Sequence, residues 1–184
     1  MQSGKIILWR IPYDIVQIVK RGVITLKKKI LVMLTVVAMF TLLVSGAAFA
    51  ANADSAKAAA EKYVPAAASF VRTNDDGHKY EVHFNDNQAN VHYEVEVNKF
   101  TGNVIEFKME SYNDRGSNVV KLSDSDIRAI IAKDFADASI YKIKLDKEHG
   151  LSKYEVSFTA NGIRKAEYDI NPETGNIIEK SIKY

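Results

Sequence analysis

Lys79-Tyr80-Glu81-Val82-His83-Phe84 returns 74 residues later as Lys153-Tyr154-Glu155-Val156-Ser157-Phe158. A second block follows each. Glu94-Val95-Glu96-Val97-Asn98 matches Glu167-Tyr168-Asp169-Ile170-Asn171, and Thr101-Gly102-Asn103-Val104-Ile105-Glu106 matches Thr174-Gly175-Asn176-Ile177-Ile178-Glu179, now at an offset of 73. Two ordered blocks with an identical Thr-Gly-Asn define an internal repeat, and the one-residue slip falls where a hairpin loop absorbs it. Each block alternates. Tyr80, Val82 and Phe84 oppose Lys79, Glu81 and His83, while Val91, Tyr93, Val95 and Val97 oppose His92, Glu94, Glu96 and Asn98. Tyr154/Val156/Phe158 and Ala166/Tyr168/Ile170 do the same in the second copy. Period two with one apolar face predicts strands of an antiparallel sheet.

Turn chemistry falls between the strands. Asp86-Asn87, Asn161-Gly162 and the two Thr-Gly-Asn triplets mark hairpins. Asp75-Asp76-Gly77 and Glu148-His149-Gly150 mark an earlier turn, with Phe70/Val71 and Tyr141/Ile143/Leu145 in the strands before it. The apolar face needs a cover. In the second copy Ser123 is a candidate N-cap with Asp126 three residues on, and Ile127, Ile130, Ile131 and Phe135 recur at helical spacing. In the first copy the cover is the Ala-rich stretch Ser55 to Val64, ended by Pro65 and poorer in large apolar residues. The expected organisation is a first unit over 51–112, a polar connector over 113–121 and a second unit over 122–184. A unit of about 60 residues buries only about 60% of its unfolded surface, so the two are expected to pack together or share a partner.

The first fifty residues belong to a different class. Lys27-Lys28-Lys29 precede an uncharged apolar run from Ile30 to Val44, and Ala48-Phe49-Ala50 supplies small residues for a cut before Ala51. This predicts a secretory signal peptide within 1–50, cleaved after Ala50, with Ala51-Asn52-Ala53 offering a second cut before Asp54. The alternative is an uncleaved anchor from Ile30 to Ala51, the only membrane attachment the sequence offers. Residues 1–26, with the sole Trp (Trp9), make either an overlong gene start or a long leader. Residues 1–50 hold seven Lys/Arg and one Asp, so the +2 chain leaves 18 basic and 22 acidic residues in 51–184, a net −4. No basic surface for nucleic acid exists on such a chain. With no cysteine, disulfides, thiolate metal sites and a Cys nucleophile are excluded.

The order helix–strand–strand–strand–strand resembles the PepSY domain. Tyr154-Glu155-Val156 in the second strand and Asp169-Ile170-Asn171-Pro172-Glu173-Thr174-Gly175-Asn176-Ile177-Ile178 closing the third carry the likeness. The first copy departs from it, with Glu96 at the Asp169 position and Phe100 just before Thr101-Gly102. The resemblance spans nearly all of 55–184. It implies an α+β fold of two tandem PepSY-like units, each a helix packed on a small antiparallel sheet of three to four strands. It also implies an exported or cell-envelope setting, since such domains occur in envelope proteins and in propeptides of thermolysin-like proteases, and a role in restraining peptidases.

Chemistry-bearing residues are few. G-x-S-x-G, HExxH and G-x-G-x-x-G are all absent. Glu94/Glu96 and Asp124/Asp126 are carboxylate pairs at positions read as solvated or capping. His83 and His92 are the candidate metal ligands. If Phe84 pairs with Val91, His83 faces His92 with Glu81 beside Glu94, a donor set for Zn²⁺ or Cu²⁺. A register two residues away pairs Glu81 with His92 and Lys79 with Glu94 in plain charge pairing. The second copy has Ser157 and Lys165/Ala166 there, so no second site is expected. Lys142, Lys144 and Lys147 read as a basic stripe opposite in sign to Glu94/Glu96, and Tyr112 and Tyr184 break the alternation as candidate surface aromatics. The expectation is an exported, non-catalytic protein-binding module without a cofactor, docking on a secreted or envelope peptidase. The alternatives are an envelope small-ligand or metal-binding module and a structural envelope component.

Overall fold

The computed structural model describes residues 51–184, so the leader and residues 1–26 lie outside the described residues. The elements run α1 (Ala53–Ala60), a 3₁₀ turn (Glu61–Tyr63), β1 (Ser69–Asp76), β2 (Lys79–Asp86), β3 (Val91–Asn98) and β4 (Val104–Ser111). The same order then repeats as α2 (Asp124–Asp134), β5 (Ser139–Glu148), β6 (Leu151–Ala160), β7 (Ile163–Ile170) and β8 (Ile177–Lys183). The fold is α+β, and its strands form one sheet. Their order is β1-β2-β3-β4-β8-β7-β6-β5, every pair antiparallel.

The two small sheets expected from the sequence are therefore fused. The last strands of the copies, β4 and β8, pair from Glu106↔Lys183 to Glu110↔Glu179. The physical reason is edge exposure: two separate four-stranded sheets would leave four unpaired edges, and joining β4 to β8 removes two. Because equivalent strands meet antiparallel, a rotation about an axis normal to the sheet relates the copies. Both helices consequently land on one face. That face runs from Val82 and Phe84 through Val95, Phe107, Ile182, Ala166 and Tyr168 to Val156 and Phe158, all buried in one core cluster.

The helices differ as their sequences do. Ser123 caps α2 in a reciprocal capping box with Asp126, and Ile127 and Ile131 are fully buried. Phe135 follows the last turn and lies 5.5 Å, ring to ring, from Phe158. Helix α1 starts two residues earlier than the Ala-rich stretch suggested, because Asn52 and Ser55 form its capping box. It buries only Ala56 and Ala60. Each copy closes its third hairpin identically. Asn98 Oδ1 accepts from the Phe100 and Thr101 amides, as Asn171 Oδ1 accepts from those of Glu173 and Thr174. Asn103 N donates to Thr101 Oγ1 and Asn176 N to Thr174 Oγ1. The repeated Asn-x-x-Thr-Gly-Asn is thus a self-bonded turn.

The polar connector is docked against the second copy. Asp114 Oδ1 accepts from Asn171 Nδ2 at 2.7 Å, and Ser117 makes a backbone bridge to Ser152. Gly116 sits at φ +105°, and a Cβ there would collide with the Ser152 carbonyl oxygen. Among the described residues, no helix is long and apolar enough to cross a membrane.

Candidate functional site

Among the described residues the second sheet face carries no helix, and its long polar side chains cover one another. Transverse rows can be followed across strands by register. One runs Asn85–His92–Glu110–Glu179–Asp169–Glu155, another Arg72–His83–Glu94–Lys108–Ser181–Glu167–Ser157. Strand alternation alone would make this the wet face throughout. At His83 and Glu96 it is not, since each is 5% exposed.

The histidines meet, in neither register weighed from the sequence. Phe84 pairs with Tyr93, so His83 stands opposite Glu94 and Asn85 opposite His92. The reason is the β2–β3 loop. Asp86 Oδ1 accepts from the Gln88 and Ala89 amides and Asn90 takes a φ of 55°, which makes a four-residue turn. His83 and His92 become diagonal neighbours, with ring centroids 5.3 Å apart. A hydrogen-bond chain runs through them. Asn74 Nδ2 donates to His83 Nε2 at 3.1 Å, His83 Nδ1 donates to His92 Nε2 at 3.2 Å, and His92 Nδ1 donates to Asn85 Oδ1 at 2.7 Å. Burial, aided by Arg72 and opposed by Glu94, holds His83 below the ordinary imidazole range. Tyr112, exposed as expected, lies over His92 with ring centroids 6.5 Å apart.

Beside the histidines, three carboxylates share two ammonium groups. Lys79 Nζ lies 3.0 Å from Glu81 and 2.9 Å from Glu96, and Lys108 Nζ lies 2.8 Å from Glu94 Oε1 and 2.9 Å from Glu96. Burial would lower the Lys79 pKa, but hydrogen bonds to Glu96 and Glu81 push it up to about 12. Burial would likewise raise Glu96, yet the two lysines hold its carboxyl below the usual range. Glu94 and Glu96 are thus tied as structural counterions. Asp126 is engaged by the Ser123 cap, and Asp124 lies in the first turn of α2.

The basic stripe does not form. Lys142 and Lys144 pair with Glu155 and Asp146, whereas Lys147 has the opposite strand parity. Nor is Tyr184 a free surface aromatic. Its ring meets Tyr63 at 5.6 Å, and its buried hydroxyl finds no partner among the described residues.

Sequence reading missed Lys180. It occupies a core parity between Ile178 and Ile182, and that parity was the available signal. Its Nζ lies 3.7 Å from Asp134 Oδ2 and 5.5 Å and 5.7 Å from the Phe107 and Tyr168 ring centres. Tyr168 donates to the same Asp134 oxygen at 2.9 Å. Burial pulls the Lys180 pKa down against the opposing pull of Asp134. A cleft of about 420 Å³ lies between the copies, lined by Val91, Tyr93, Met109 and Ile177.

Comparison with known families decides the lineage. The family model described as "Peptidase propeptide and YPEB domain", PepSY, matches twice, at residues 50–108 and 121–180. The chain belongs to the PepSY family. The two PepSY matches together take in well over half of its length. No curated protein matches it. Among solved structures it is similar to a Clostridium difficile protein provisionally described as a lipoprotein, at 15% identity and a TM-score of 0.31. That likeness covers 77% of this chain and 98% of the other.

Proposed function

We propose that this PepSY protein is exported and non-catalytic, and that it docks on a secreted or envelope peptidase, restraining it by adding one of its strands to the edge of the sheet. The strand order supports this reading: among the described residues, β1 and β5 each have a neighbour on one side only. An edge strand offers a row of backbone donors and acceptors, and its alternating side chains supply selectivity. Of the two, β5 is the stronger candidate. It is ten residues long, and Tyr141 and Leu145 are 61% and 45% exposed on it. A bulge at Ile140/Lys142 interrupts the start of β5, leaving Lys142 to Glu148 as the regular stretch. The leader pattern and the family's description as a peptidase propeptide domain support the compartment and the class of partner. The division at 113–121 belongs to this proposal, each copy carrying one edge.

Proline scanning at the edge tests it. Backbone N–H groups of successive residues in a strand point to opposite sides, so of Lys144 and Leu145 one directs its amide outward. Lys144→Pro and Leu145→Pro are made separately, and the one that keeps the wild-type melting temperature has lost only an outward donor. That variant is expected to lose peptidase binding by tenfold or more. Unchanged binding would remove edge pairing as the mode.

A further inference from the structure

Three ligand-type side chains on the open face point at one small volume. His83, His92 and Glu94 each present a ligand atom, and these lie within 4.8 Å of one another. The two ring nitrogens that face each other are 3.2 Å apart. Two nitrogens about 2.0–2.1 Å from a tetrahedral Zn²⁺ lie about 3.3 Å from each other. Glu94 divides its oxygens usefully. Oε1 holds the Lys108 ammonium at 2.8 Å, while Oε2 turns to His83 Nδ1 at 3.8 Å.

The outward nitrogens are also held. His92 Nδ1 bonds Asn85 Oδ1 and His83 Nε2 bonds the Asn74 amide. A histidine that ligates metal through one nitrogen almost always has the other fixed by such a partner, which sets tautomer and ring orientation. The neighbouring cluster of Glu81, Glu94 and Glu96 differs, since the Lys79 and Lys108 ammonium groups already fill it. The second copy provides an internal control. It places Ser157, Lys165 and Glu167 at the positions of His83, His92 and Glu94, and Lys165 pairs with Glu167 at 2.8 Å.

We propose that His83 Nδ1, His92 Nε2 and Glu94 Oε2 form a Zn²⁺ site, with a fourth position open to solvent. Two imidazoles and one carboxylate are a zinc donor set of the open type. Binding moves one proton. The hydrogen between Nδ1 and Nε2 leaves Nδ1, His83 takes a proton at Nε2, and the Asn74 amide turns its oxygen to accept it. The pair stays neutral, the rings rotate from their stacked arrangement toward the ion, and Glu94 supplies one negative charge. Arg72 facing His83 and Lys108 beside Glu94 oppose the cation, while Glu81, Glu96 and Glu110 favour it. The site stands apart from peptidase docking, and neither depends on the other.

Calorimetric titration of Zn²⁺ into tag-free protein beginning at Ala51, which contains every element described above, tests the site. The expected dissociation constant is about 10 μM or tighter, weakening at least about tenfold in His92→Gln and in Glu94→Gln. Asn85→Ala, which keeps all three ligands, is expected to weaken binding about tenfold. Glu167→Gln in the second copy should leave it unchanged. Co²⁺ should give the visible absorption of a tetrahedral complex, displaced by Zn²⁺. Absence of heat at about 100 μM Zn²⁺ would overturn the proposal, as would wild-type affinity in folded His92→Gln.

Discussion

Three carboxylates lie side by side at the centre of the open face. Glu179 on β8 stands directly opposite Glu110 on β4 and Asp169 on β7. Desolvation by neighbouring side chains, then the charges of Asp169 and Glu110, raise the Glu179 pKa above its ordinary 4.5, with Lys153 pulling the other way, and the residue's solvent exposure screens the effect. A raised carboxyl pKa means that the folded state holds the proton more tightly than the unfolded one. The stabilising effect is full below about pH 4.5 and is lost as pH rises through the folded pKa. At pH 7 Glu179 is therefore a net cost, and Glu179→Gln is expected to stabilise by roughly 0.2–1 kcal/mol, the range for like charges across a strand pair. Denaturant melts should show that gain at pH 7 and its disappearance near pH 4. Equal gains at both values would contradict it. At this scale the sequence was only half legible. Parity put Glu179, His83 and Glu94 on one face, but which residues sit side by side depends on register. The Asp86-capped loop set that register for the histidines, and the β4–β8 pairing set it for Glu179. Lys180 was hidden differently, because a lysine at a core parity reads as a break in the pattern until Asp134 and two aromatic rings surround it.

Elements were the most legible level. The capping box at Ser123, the Ile127/Ile131 stripe and the Thr-Gly-Asn turns are local devices, each written within a few residues, and each stands where its chemistry required. The bulges at Phe70/Arg72 and Ile140/Lys142 were not legible, since Val71 and Tyr141 look like ordinary strand residues until their partners are known. The difference between the helices predicts an asymmetry. Ile131→Ala removes a fully buried side chain of α2 and is expected to cost about 2–5 kcal/mol. Ala60→Gly, at an equally buried site in α1, is expected to cost about 1 kcal/mol from helix propensity alone. Equilibrium denaturation of the two variants checks this, and equal losses would contradict the view that α2 is the stronger cover.

At the scale of the molecule, the sequence showed two copies of one unit but not how they join. Nothing in β4 or β8 taken alone marks a partner strand, because an edge becomes a seam only when a complementary edge of the same polarity pattern reaches it. Once fused, the sheet buries the middle edges and, among the described residues, ends at β1 and β5. The proposed docking role rests on those ends and on membership of a family described by peptidase propeptides. Titration of the protein beginning at Ala51 against a thermolysin-like protease, and against the secreted protease fraction of the producing cells, tests that role most directly. Residual peptidase activity and the integrity of the protein are followed together. The account predicts saturable inhibition with the protein left uncut, and its loss in the folded β5 proline variant. Rapid digestion, or undiminished peptidase activity in both assays at saturating protein, would contradict it.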